Sequence, residues 1–167
     1  VNQVKAITKK IEEQNIRGPK GELVRIEVFC HGALCMAVSG KCYLSLDNFN
    51  TSANRGACVQ PCRRGYEVTD RDKEITLAIE NEYIMSPKDL CTLPFLDKVL
   101  DAGVKILKIE GRGRSPEYTK VTVGVYSEAV KAIQNGEFTE EKIAQWTERL
   151  RSVYNRDFWD GYYLGRK

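Results

Sequence analysis

Histidine is nearly missing from this sequence: of 167 residues, only His31 is one. A metalloprotease helix of the HExxH kind needs two, so that design is excluded. No GxSxG turn occurs, which removes the nucleophile-elbow hydrolases as well. No apolar run approaches the roughly 18 residues that span a bilayer, and no basic-then-apolar leader opens the chain, whose first residue is Val1. Charge of one sign is scarcely in excess either. Lys and Arg number 26 against 23 Asp and Glu, for a net charge of +3 and a pI near 8.5. That balance admits a polyanionic partner but lacks the lopsidedness of a dedicated nucleic-acid binder. With 42% hydrophobic and 29% charged residues, the composition is that of a cytoplasmic globular domain, or part of a larger one.

Cysteine, by contrast, is present six times, and in a cytoplasmic setting this points to metal or redox chemistry before disulfides. Cys35 and Cys42 stand seven positions apart with six residues between them, Cys58 follows sixteen positions later, and Cys91 lies far down the chain. Thiolates are soft ligands, and four converging on one point suit an iron–sulfur cluster or tetrahedral zinc. Gly32, Gly40 and Gly56 accompany the first three, as a backbone folded close around such a centre requires. Structural zinc favours tight pairs, and only Cys58 and Cys62 (CVQPC) are so placed. The wide separations lean towards a cluster, while spacing alone leaves zinc, or plain buried or disulfide-bonded cysteines, open.

Elsewhere the pattern is that of an α/β protein. Val4, Ile7 and Ile11 mark an amphipathic helix over residues 1–15, broken between Asn15 and Gly21. Val24–Cys30 (VRIEVFC) and Val104–Ile109 (VKILKI) read as buried parallel strands. Between them come a long Gly-, Ser-, Asn- and Cys-rich loop over 32–65, a hairpin of Tyr66–Thr69 with Glu74–Asn81, and a helix start at Ser86–Asp89. Helices are expected over Phe95–Ala102, Tyr118–Gln134 and Thr139–Val153, the last capped by Thr139, before an aromatic tail, Asp157–Gly165. Polar residues follow each buried strand, where α/β folds place their sites. His31 and Glu110 are therefore the catalytic candidates, and Arg112 and Arg114 form a post-strand anion clamp. Arg55, Arg63 and Arg64 sit among the cysteines, able to bind substrate or to offset a thiolate-bound centre. Tyr43, Tyr66, Tyr118, Phe158, Trp159, Tyr162 and Tyr163 are aromatic surfaces for bases, or simply packing residues.

The run Glu27-Val28-Phe29-Cys30-His31-Gly32-Ala33-Leu34-Cys35, followed by Gly40 and Cys42-Tyr43-Leu44-Ser45, resembles the signature of the collagenase-like peptidases of unknown catalytic type, family U32. Ser52-Ala53-Asn54-Arg55-Gly56-Ala57-Cys58 with Gln60-Pro61-Cys62-Arg63 is similar to a second block of that family. Lys108-Ile109-Glu110-Gly111-Arg112 through Arg114-Ser115-Pro116-Glu117-Tyr118 is similar to a third. The ending from Tyr154-Asn155-Arg156 to Gly161-Tyr162 resembles the members that hydroxylate tRNA. The resemblance implies a [4Fe–4S] cluster on Cys35, Cys42, Cys58 and Cys91, with Cys30 and Cys62 outside the set. It implies the C-terminal portion of an eight-stranded (β/α)8 barrel over residues 1–136, with the cysteine-rich segment 30–91 as a loop insertion, then a helical and aromatic tail over 137–167. Half a barrel leaves sheet edges to be covered by missing N-terminal strands or oligomer partners.

For function the resemblance implies hydroxylation of the tRNA wobble uridine to 5-hydroxyuridine, with prephenate as co-substrate. Arg55, Arg63, Arg112, Arg114 and Tyr118 are then the substrate-binding residues, and no membrane is involved. The alternatives are a peptidase, as the family name says, and a non-catalytic iron–sulfur scaffold subunit.

Overall fold

The computed structural model of the chain describes residues 1–73, 75–79, 88–111 and 113–165. Its two apolar runs pair in parallel as the sequence predicts, but neither is the buried strand expected: Val24 and Phe29 are exposed and no residue of Ile106–Ile109 is fully buried, because only alternate side chains reach the core. Strand β1 (Glu27–Gly32) lies parallel to β5 (Ile106–Ile109), in register from Glu27 opposite Ile106 to His31 opposite Ile109, with an irregularity between Phe29 and His31. Two further strands complete a mixed sheet of order β5-β1-β4-β6. β4 (Asp89–Cys91) runs antiparallel to β1, placing Cys91 opposite His31, and the two-residue β6 (Phe158–Trp159) runs parallel to β4. The expected helix start at Ser86–Asp89 is thereby corrected at Asp89. This residue opens a strand, because its amide donates to the Asp157 carbonyl at 2.9 Å and all of Asp89, Leu90 and Cys91 is buried. Ser86 and Pro87 lie outside the described residues. The sheet is not purely parallel, as the sequence reading had it, because β4 returns alongside β1 in the opposite direction.

The helices follow local rules closely. α1 (Asn2–Glu13) is the amphipathic opening segment. α3 (Leu96–Asp101) stops before Gly103, and α4 (Pro116–Gln134) has Pro in its first turn and Ser115 Oγ accepting the Tyr118 amide. α5 (Glu140–Arg151) is capped by Thr139, with glutamates in its first turn and arginines in its last, which complements the helix dipole. α4 and α5 are tied by Glu128, which accepts from Trp146 Nε1 (2.9 Å) and from both terminal nitrogens of Arg149 (2.6 and 2.9 Å). Leu93, Leu96, Val99, Val125, Ala129 and Leu150 form the centre of the core, each at or below 1% exposure. Complete burial of one such leucine contributes about 1.5–3 kcal/mol.

The chain divides into two compact units, one of Val1–Ala33 with Lys88–Lys167, the other of Leu34–Pro87. The first holds the mixed sheet and the core just described. In the second, the expected long loop contains α2 (Tyr43–Phe49) and three single 3-10 turns, at Val38–Gly40, Ala53–Arg55 and Pro61–Arg63. A hairpin of β2 (Tyr66–Asp70) and β3 (Ile75–Ile79) follows, as the sequence predicts; the rest of its expected second strand, residues 74, 80 and 81, lies outside the described residues. Gly40, at φ +71°, is in its place because a side chain there would meet the Asn54 backbone at 2.9 Å. Among the described residues no helix is long and apolar enough to cross a membrane.

Candidate functional site

The end of β1 carries the site of the first unit. Cys30, His31 and Gly32 are all buried there. The β1–β5 ladder closes with the Glu110 amide donating to the His31 carbonyl at 2.9 Å. Gly32, at φ +116°, permits this approach, since a Cβ on it would stand 2.4 Å from the Glu110 carbonyl oxygen. The same carbonyl accepts from the Tyr118 hydroxyl at 3.2 Å.

α4 buries Tyr118, Thr122, Val125, Tyr126 and Ala129, a helical face whose two tyrosines stand two turns apart. Their rings flank His31, at centroid distances of 6.1 Å for Tyr118 and 5.5 Å for Tyr126, and the Phe158 ring of β6 closes a third side at 5.5 Å. His31 is 1% exposed, and burial is the main reason its pKa falls to about 4; Asp89 partly opposes the shift and Arg114 adds to it. The imidazole is therefore neutral at physiological pH. Burial likewise pushes the Tyr118 hydroxyl up to about 12, and that of Tyr126 well above the ordinary range.

Asp89, 1% exposed, is held on both oxygens: Arg114 Nη2 at 3.3 Å from Oδ2 and Arg156 Nη1 at 3.0 Å from Oδ1. Both guanidiniums pack on Tyr154, at 4.3 and 5.2 Å from its ring centroid, and Arg114 also lies 5.5 Å from that of Tyr118. The structure thus brings His31, Glu110, Arg114, Tyr118 and Cys91 into one unit. Arg112 lies outside the described residues.

The other sequence candidates belong to the second unit. Arg55 is exposed on its 3-10 turn, and Arg63 donates to Gln60 Oε1 at 2.7 Å. Cys35, Cys42 and Cys62 line one cavity of about 420 Å3, together with Met36, Val38 and Tyr43. The Cys62 thiol is raised chiefly by burial, with Arg63 opposing the shift and the nearby Cys58, Cys35 and Cys42 adding to it. Cys42 is lowered, first by the Ser45 hydroxyl and then by backbone amides, as a thiolate ligand requires. In the first unit, burial, with Cys91 adding to it, pushes Cys30 up to about 12, and burial raises Cys91 too. All six cysteines are free thiols, and thiols are the donor type a cluster takes. Among the described residues no three His, Cys, Asp or Glu side chains are grouped so as to hold a metal ion.

Sequence reasoning missed Asp89, Thr92, Tyr126, Tyr154 and Arg156. Arg156 stood within the quoted tail, but its partner Asp89 lies 67 residues away. Tyr126 looked like any core aromatic of a helix.

The family model described as Peptidase family U32 matches residues 1–167. The chain belongs to this family. A collagenase of Porphyromonas gingivalis (strain ATCC BAA-308 / W83) is 59% identical over 167 residues, which is all of the chain and 40% of that protein. The tRNA hydroxylation protein P1 of Bacillus subtilis (strain 168) is 36% identical over 148 residues, covering 85% of the chain and 35% of the relative. The 23S rRNA 5-hydroxycytidine C2501 synthase of Escherichia coli (strain K12) is 42% identical over 108 residues, or 65% of the chain and 16% of the enzyme. The chain thus spans about two fifths of the length of the first of these curated relatives. No solved structure matches.

Proposed function

We propose that this chain is part of an RNA-modifying enzyme that hydroxylates a pyrimidine base, with the tRNA wobble uridine as substrate and 5-hydroxyuridine as product. One observation carries the reading. The buried end of β1 pairs a neutral histidine, walled by aromatic rings, with an Arg114–Asp89–Arg156 group stacked on Tyr154. Aromatic faces and planar guanidiniums suit a flipped base and its phosphate, or a carboxylate co-substrate such as prephenate. The relatives named as tRNA and rRNA modifiers support the same class. Arg55, Arg63, Arg112 and Arg114 would hold anions, Tyr118 the base, and His31 and Glu110 would handle protons.

Cys35, Cys42, Cys58 and Cys91 would hold a [4Fe–4S] cluster, which supplies a one-electron redox centre and a brace for the cysteine-rich segment when bound. Thiol donors and the lowered Cys42 fit that group; the raised Cys91 would need the cation to offset its desolvation. The fold reading extends the same way. The parallel β1–β5 pair supports the C-terminal portion of a (β/α)8 barrel whose other strands belong to the longer relatives, although the antiparallel β4 departs from the regular barrel.

A second reading, peptidase, is supported by the 59% identity with a protein named collagenase. Against it stands the chemistry beside His31. Cys30 is fully buried with its pKa pushed up to about 12, the reverse of what an activated nucleophile needs. Mass spectrometry of tRNA and rRNA nucleosides from a strain lacking the full-length gene tests the proposal. Loss of 5-hydroxyuridine derivatives is expected; unchanged nucleosides with lost gelatin hydrolysis would transfer the assignment to the peptidase.

A further inference from the structure

Tyr126 is the most heavily engaged side chain near the site, although neither the sequence motifs nor the proposed function uses it. Its hydroxyl sits 2.8 Å from the Cys30 carbonyl oxygen, 3.2 Å from the Thr92 amide nitrogen, 3.4 Å from His31 Nδ1 and 3.8 Å from Cys91 Sγ. The positions of the protons follow from the chemistry of the partners.

A phenol has one proton to give and two lone pairs to receive with. The Cys30 carbonyl can only accept, so two oxygens at 2.8 Å require the Tyr126 proton between them. The Thr92 amide can only donate, and it shares its proton between the Cys30 carbonyl, at 3.0 Å, and the hydroxyl. With its own proton directed at the Cys30 carbonyl, the hydroxyl has only a lone pair to turn towards His31 Nδ1. A second lone pair on Nδ1 would meet it as repulsion, whereas an N–H there makes a long hydrogen bond. Cys91 is the only other donor to that lone pair among the named partners, and S–H is the weaker. A neutral imidazole carries one proton in all, so a proton on Nδ1 empties Nε2.

We propose that Tyr126 is a positioning residue that fixes His31 in its Nδ1–H tautomer, leaving Nε2 as the nitrogen that carries the lone pair. In this state His31 takes a proton or hydrogen bond from a ligand through Nε2 and has none to give there. The proposal sharpens the role given to His31 under the proposed function and rests on that reading for its use in catalysis. The tautomer itself is a property of the protein without substrate.

His31 is the one histidine of this sequence. In the full-length protein, with histidine labelled with 15N in both ring positions, the His31 imidazole is assigned as the signal lost in His31→Gln, and long-range 15N–1H correlations to Hδ2 and Hε1 report which nitrogen is protonated. At neutral pH the wild type is expected to show a protonated Nδ1 and a lone-pair Nε2. A wild type in which Nε2 carries the proton overturns the proposal. Tyr126→Phe removes the acceptor and keeps the ring. Its expected signature is loss of the Nδ1–H form in favour of Nε2–H, the commoner tautomer in water, with the backbone amide spectrum of the sheet retained. An unchanged tautomer in folded Tyr126→Phe assigns the preference to something other than this hydroxyl and also overturns the proposal. Tautomer and nucleoside profile are read separately. A correct tautomer with unchanged tRNA removes the hydroxylase reading alone, and a wrong tautomer with lost 5-hydroxyuridine removes this inference alone.

Discussion

The two units of the chain hold their chemical groups by different means. In the first, each side chain around His31 is fixed by backbone pairing or by a core contact. The β1–β5 ladder ends at the His31 carbonyl, β4 sets Cys91 opposite His31, and the capped α4 delivers two tyrosines from one face. In the second, Arg55, Cys62 and Arg63 ride on single 3-10 turns, Cys42 precedes a seven-residue helix, and Cys35 and Cys58 lie on irregular chain, with Val38 81% and Tyr43 78% exposed beside the thiol-lined cavity. The first unit is pre-organised by backbone pairing and core contacts, whereas the second holds its thiols on short elements and irregular chain. Such segments open at low cost in free energy, while core strands open only near the global limit.

The sharpest way to break that contrast is at Asp89. Asp89→Ala would leave Arg156, whose side chain is 4% exposed, and Arg114, at 13%, without their buried carboxylate. A loss of about 3–5 kcal/mol is expected from such uncompensated burial, read by chemical denaturation of the first unit. A loss below 1 kcal/mol would mean that the group is not a fixed scaffold.

The pH dependence of stability comes next. The folded pKa of His31 is about 4 against an ordinary 6.5, so the unfolded chain binds the proton first as pH falls. Its contribution is complete above pH 6.5, is lost progressively down to about pH 4 and is then flat. At about 1.36 kcal/mol per pKa unit the total is of the order of 3 kcal/mol. His31→Gln is expected to flatten that part of the curve, and an identical slope in the variant would refute the burial account.

Tyr126→Phe is smaller. It removes one of the two acceptors of the Thr92 amide, which keeps its bond to the Cys30 carbonyl, and one donor from that carbonyl, for a cost of about 1 kcal/mol, measurable in the same titration. Smallest is Cys58→Ser in the protein without metal. Cys58 is exposed, so stability should move by less than about 0.5 kcal/mol. Iron and sulfide content after anaerobic purification should nonetheless collapse; stoichiometric zinc in a colourless wild type would replace the cluster by a zinc site.

What could be read in the sequence follows the range of the forces involved. VRIEVFC and VKILKI announce strands through their β-branched residues, though not their burial, since only alternate side chains reach the core, and Thr139 announces a helix start through a bond three residues away. The hairpin of β2 and β3 was visible from its polar turn. β4 was not. Three residues cannot show a period of two, and Asp89 resembles a helix-starting acid until Arg114 and Arg156 are brought to it from 25 and 67 residues away. β6, with two residues, exists only because β4 is there to pair with it. The U32 signature pointed to His31, while Tyr126, which organises the groups around it, carries no local mark that separates it from a packing aromatic.

If the buried end of β1 serves RNA hydroxylation, as proposed, His31 is indispensable to it. The most direct measurement is the tRNA nucleoside profile of a deletion strain complemented with the full-length gene, in wild-type form and as His31→Phe. The account predicts that the wild type restores 5-hydroxyuridine derivatives and that His31→Phe, expressed at equal level, does not. Equal restoration by both, or derivatives that never disappear on deletion, would contradict it.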